Sequence, residues 1–177
     1  MKFDSQSAFP YPVLRSDSND YVGEIFSATY EVSATNDLII ISVKFNLTCN
    51  EILEKIDMGF AVYGLLVTSN ETFEQQFFES DVSFSEFKIS SQSLRGRVLI
   101  EPYVVVKKII NNFESSSINN EFGYGPFLFK PGEVLAQATP SDFSISRDYF
   151  KPLQSIVKIN LKEDLPKGEW NIKLEQD

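Results

Sequence analysis

The chain has 177 residues, 42% of them hydrophobic and 23% charged, enough apolar content for one core that needs neither disulfide nor metal. A formal charge of −9 disfavours nucleic-acid binding, which rests on dense Lys and Arg. One cysteine leaves no intrachain disulfide, and the lack of histidine removes Ser-His-Asp and Cys-His catalysis and imidazole metal sites within this sequence. The N-terminus has no apolar core of a signal peptide, and no apolar run reaches the ~18 residues of a membrane-spanning helix. The expectation is a cytoplasmic protein without membrane contact, or a virion part assembled in the cytoplasm.

Residues 1–20 read as an extended arm. Pro10 and Pro12 favour extended geometry around Phe9 and Tyr11, and residues 16–20 are polar loop. Phe9, Tyr11, Val13 and Leu14 are expected to lay this arm over a single β-rich domain spanning 21–177, or onto a neighbouring subunit. Asp17, Asn19 and Asp20 are oxygen ligands by type. They lack the glycine turn and distal glutamate of a calcium loop, so no metal site is assigned.

Residues 24–32 alternate, with Phe26, Ala28, Tyr30 and Val32 on one face. Residues 38–49 alternate again, from Ile39 to Cys49, after the turn chemistry of residues 34–37. Together they predict an antiparallel hairpin with Cys49 on its apolar face as a buried thiol. Residues 50–56 fit one or two helical turns, with Asn50 as N-cap and Ile52 and Ile56 sharing a face. The stretch 58–69 is apolar at both parities, which predicts a central strand covered on both sides. In 70–81, Phe73 and Phe77 at i,i+4 favour a helical turn or loop, and 82–89 reads as a strand.

The longest strand-forming run is Leu94–Ile110, LRGRVLIEPYVVVKKII. Pro102 cannot donate a ladder hydrogen bond, so the run is expected to be two strands joined by a bend at Glu101-Pro102, or one strand that changes sheet there. Residues 111–126 form a long polar loop carrying Phe113, Phe122 and Tyr124, aromatics with little local core to enter. Lys130-Pro131-Gly132-Glu133 has type II turn chemistry, and a strand follows from Val134. Residues 141–150 suggest a loop or short strand. A hairpin is expected at 156–175, with Val157, Ile159, Leu161, Trp170, Ile172 and Leu174 on its inner face. The fold class is therefore all-β and mainly antiparallel: a sandwich or distorted barrel of about eight strands with one or two short helical turns at most.

No phosphate-binding glycine loop is present, and Gly123-x-Gly125 runs into Pro126 rather than a helix. Paired carboxylates cannot be read from spacing when the acids lie on different strands. No catalytic residue, metal or cofactor is assigned, and the chain is not expected to be an enzyme.

Charge is segregated along the sequence. Glu51, Glu54, Glu71, Glu74 and Glu79 fall in an acidic stretch, and Arg95, Arg97, Lys107 and Lys108 in a basic one. If each set forms one surface patch, copies could meet head to tail. The two basic pairs stand at opposite ends of Leu94–Ile110, so one basic patch requires the bend at Pro102. The function expected is a non-catalytic interaction or assembly module within a larger complex, with protein partners or copies of itself. A virion or tail component is one alternative. A carbohydrate-binding sandwich using Tyr11, Tyr103, Phe122, Tyr124 and Tyr149 is another.

Overall fold

The computed structural model describes residues 9–145 apart from 36 and 124. The expected hairpin at 156–175, Tyr124, Tyr149 and the first eight residues lie outside the described residues. The described residues form eleven strands, one α-helix and one 3-10 turn at Asn120–Phe122: β1 Leu14–Arg15, β2 Phe26–Ala34, β3 Leu38–Leu47, α1 Asn50–Asp57, β4 Ala61–Ser69, β5 Gln75–Ser80, β6 Phe84–Ser90, β7 Gly96–Val106, β8 Ile110–Phe113, β9 Phe127–Phe129, β10 Val134–Gln137 and β11 Ser141–Ile145. The fold is all-β and dominated by antiparallel pairing, and none of its sheets closes into a barrel. The count exceeds eight because β1, β8, β9 and β10 are short, at two to four residues each.

A six-stranded sheet runs β1-β10-β7-β4-β5, with β11 also on β7. A three-stranded sheet runs β2-β3-β6, and β8 pairs with β9. The alternation in β2 and β3 turns Phe26, Tyr30, Val32, Ile39, Ile41, Val43 and Phe45 inward. They meet Ala61, Tyr63, Leu65 and Val67 of β4 and Val98, Ile100 and Val104 of β7 in one core. Phe45 stacks on Tyr63 at 4.8 Å between ring centres with 9° between planes. Such pairs contribute roughly 0.5–1.5 kcal/mol beyond area burial. At one side Phe78 of β5 contacts Phe87 of β6 at 5.1 Å, closing the core where the chain crosses between sheets.

Three local expectations are corrected. Residues 75–80 form strand β5 rather than a helical turn, because Phe78 pairs opposite Leu65 and Phe77 opposite Leu66. Spacing i,i+4 fits a strand face as well as a helix face, and the neighbouring strand β4 decides between them. The helix at 50–57 starts after Cys49, which holds the cap position, so Asn50 lies inside it. Cys49 is buried as expected, but past the end of β3. Ile52 and Ile56 face the core as the spacing predicts.

The third correction concerns Pro102. β7 is one strand of eleven residues, paired with β4 without interruption from Val98–Ser69 to Val106–Ala61. In an antiparallel ladder a residue's N–H and C=O point to the same side. The Pro102 carbonyl accepts from Ala138 N–H at 3.1 Å, so its nitrogen faces away from β4. That side of β7 is shared end to end by β11, opposite residues 96–100, and β10, opposite 103–105. Proline therefore sits at the junction of two neighbours, where one absent donor leaves the ladder to β4 intact.

The outer face of the six-stranded sheet is also partly covered. Val13, Leu66, Tyr103, Val105 and Val134 form a second apolar cluster, against which Phe9 and Tyr11 pack. The arm is thus laid over the domain along residues 9–15, and Leu14–Arg15 pairs in parallel with β10.

Candidate interaction surfaces

Antiparallel pairing mixes the charges that the sequence separates. Arg95 and Arg97 stand at one end of β7, beside the turn that carries Glu71 and Glu74. Asn70 N–H donates to Arg97 O at 3.0 Å, and Ser69 Oγ donates to Arg95 O at 2.9 Å. The Glu71 side chain lies directly over Gly96, between the two arginines in sequence. Arg97 Nε also bonds Asp142 Oδ2 at 2.6 Å.

Lys107 and Lys108 stand at the other end. Lys107 Nζ bonds both Glu79 carboxylate oxygens at 2.8 Å, so one candidate basic residue is paired with one candidate acidic residue inside the chain. Lys108 Nζ lies 5.8 Å from the centre of the Phe60 ring, a cation–π contact. Glu54 lies 4.0 Å from Lys55 on α1. Arg97 and Lys107 are ten residues apart on continuous strand, roughly 33 Å at ~3.3 Å per residue. The four cations form two sites, not one patch, and each site has acids beside it.

The polar loop is fastened rather than free. Tyr21 bridges Ile118, Val22 N–H donates to Ser117 O at 2.7 Å, and Asn119 N–H donates to Asp20 O at 2.8 Å. Phe113 is buried, in edge contact with Phe129 at 5.4 Å, so it serves the core and not the loop surface. Phe122 is 37% exposed. Glu51, Glu114, Ser115, Ile118 and Phe127 line a cleft of about 590 Å³ beneath this loop. Burial raises the Glu51 carboxyl pKa, but bonds from its own N–H, the Cys49 thiol, the Ser115 hydroxyl and Ser116 N–H outweigh it. The net pKa is lowered. Glu24 accepts from Thr48 at 2.5 Å and from Ser117 at 3.0 Å. Glu24 through Ser117, and Glu51 through Ser115 and Ser116, tie the loop to the domain.

Burial pushes the Cys49 thiol up to about 11, with Glu51 adding to the rise, the reverse of what a nucleophilic thiol needs. Among the described residues, no group of three or more acids or thiols is arranged to hold a metal ion. No helix among them is long and apolar enough to cross a membrane.

A groove of about 430 Å³ opens on the outer face of the six-stranded sheet, lined by Leu66, Phe77, Val105 and Pro131 and rimmed by the Lys107–Glu79 pair. Phe77 is 41% exposed, and its ring lies over Gly64, where a Cβ would overlap it. The groove adjoins β5, the outermost strand on this side among the described residues. Ser69 N–H donates to Glu74 O, which fixes the ladder phase: Phe77 and Glu79 aim their backbone groups away from β4. The sequence signalled this surface weakly, through apolar residues at both parities of 58–69 and 103–106. Its gathering of Leu66, Phe77, Val105 and Pro131 depends on strand register, which the sequence does not display. Comparisons with protein-family models, curated proteins and solved structures find no match to this chain.

Proposed function

We propose that this domain is a non-catalytic protein-interaction module, acting as a subunit or adaptor in a larger assembly. The observation that carries this is the apolar groove of Leu66, Phe77, Val105 and Pro131 beside the outward backbone groups of β5. An extended partner segment can add to β5 through main-chain hydrogen bonds and place an apolar side chain in the groove, the usual logic of strand addition. The internal pairing of Lys107 with Glu79 argues for apolar and main-chain recognition over docking between whole charged patches.

The test is affinity purification from the native source with the natural chain and with Phe77→Asp in parallel. Phe77 is partly exposed, so the variant is expected to fold; thermal melting checks this. A protein retained by the natural chain and lost from the folded variant supports the proposal. Identical recovery from both rules out the groove as the docking surface.

A further inference from the structure

We infer that the edge of β2 with which no described strand pairs joins β2 of a second copy, making two three-stranded sheets into one across a twofold axis at Tyr30. This is independent of the groove, which lies on the other sheet.

The inference starts from ladder phase. Thr35 N–H donates to Leu38 O, and Thr48 N–H donates to Ile25 O, so the odd residues of this segment bond to β3. The even residues Phe26, Ala28, Tyr30, Val32 and Ala34 aim their N–H and C=O groups away from β3. Among the described residues no strand pairs with that side.

Edge strands are commonly guarded by lysine, proline, bulges or brevity. β2 spans nine residues, FSATYEVSA, with unbroken register to β3 and Glu31 as its single charge. The opposite edge of the same sheet, β6, carries both Glu86 and Lys88. The two edges differ in the way expected if one is protected and the other used.

One antiparallel register pairs β2 with itself over its full length: Phe26 opposite Ala34, Ala28 opposite Val32, and Tyr30 opposite Tyr30 of the second copy. All five outward N–H groups of each copy then find carbonyls. On the solvent face Ser27 meets Ser33 and Thr29 meets Glu31, so no like charges stand directly opposite.

A separate observation falls on the same axis. The Tyr30 side chain is only 7% exposed, and its hydroxyl has no hydrogen-bond partner among the described residues. A buried orphan hydroxyl is costly. In the paired register the two Tyr30 residues are direct neighbours on the same face, and each hydroxyl gains the other within reach.

The test changes one exposed residue in both directions. Thr29→Glu sets two like-charge pairs against Glu31 of the other copy, and Thr29→Lys sets two opposite-charge pairs there. At a few tenths of a kcal/mol or more per cross-strand pair, each change should shift the dimer dissociation constant by roughly fivefold, in opposite senses. Sedimentation equilibrium over a concentration series reads this directly, and circular dichroism confirms that both variants fold. Ala28→Pro is the control for main-chain pairing, since its N–H faces away from β3 and its loss removes a donor from the dimer ladder but none from the β2–β3 ladder. Dimer formation that weakens in Thr29→Glu and Ala28→Pro and strengthens in Thr29→Lys supports the inference. A monomeric natural chain, or a dimer indifferent to all three changes, overturns it. Neither result bears on the Phe77 groove, whose test reads a different partner.

Discussion

Gly96 opens β7 with φ of +62°, and a Cβ placed on it would overlap the Glu71 carboxylate. Gly96→Ala therefore meets two separable penalties. An L-residue held at left-handed φ costs roughly 1–2 kcal/mol. Displacing Glu71 adds less, on the order of 0.5 kcal/mol, because the end of a long, flexible side chain can swing aside and exposed charge contacts contribute little. The expected loss is about 1.5–2.5 kcal/mol for Gly96→Ala alone. In a Glu71→Ala background it should fall to the backbone share of about 1–2 kcal/mol. Urea denaturation of natural, single and double variants gives the cycle, with equal slopes as the check that the unfolding remains two-state. A neutral Gly96→Ala would refute the left-handed start of β7. An unchanged loss in the Glu71→Ala background would refute the placement of the Glu71 side chain over Gly96.

Three further outcomes are expected. Glu101 is largely buried, and burial raises its carboxyl pKa against the opposing bond from the Tyr103 hydroxyl at 3.2 Å. The folded state therefore binds this proton more tightly, and the contribution of Glu101 to stability declines as pH rises from the unfolded carboxylate range through the folded value. Glu101→Gln should flatten that part of the stability–pH curve and gain most above it; a steeper decline in the variant would contradict the assignment. Cys49, buried and with its thiol pushed up to about 11, should resist iodoacetamide at neutral pH until the chain is unfolded. Rapid labelling of the native protein, followed by mass spectrometry, would show the site to be open. Lys107→Ala breaks a half-exposed ion pair with Glu79 and should cost under about 1 kcal/mol, less in high salt, by chemical denaturation.

Alternation carried much of the fold. Phe26 to Val32 and Ile39 to Leu47 place themselves because period-two burial leaves one face for the core, and the doubly apolar 58–69 announces a central strand. What failed has a shared cause. Phe77 fits a helix and a strand equally until β4 lies beside it. Pro102 looks like a break until its far side proves to be the junction of β10 and β11. Phe113 looks stranded until Phe129, sixteen residues later, supplies a wall. The charged residues show the same limit: Glu71 and Glu79 are distant in sequence from the bases of 95–108, and antiparallel β4, β5 and β7 bring Glu71 beside Gly96 and Glu79 onto Lys107. Local pattern reports which face of an element is wet, while partners across the sheet depend on chain that comes much later.

The placement of β7 has a consequence for synthesis. Its first partner, β4, is made some thirty residues earlier, but the strands on its other side, β10 and β11, end at Ile145. As the chain leaves the ribosome, hairpin β2–β3 can form early from neighbouring segments, whereas β7, the longest strand of the large sheet, waits with one flank bare. Long-range strand pairing of this kind is slow and exposes edges to wrong partners. The end-to-end arrangement divides that wait: β10 covers the Tyr103–Val105 half as it emerges, and β11 then covers the Gly96–Ile100 half. Truncation between Gln137 and Ser141 should therefore yield a nascent chain with its sheet half sealed, more prone to aggregate than one released after Ile145.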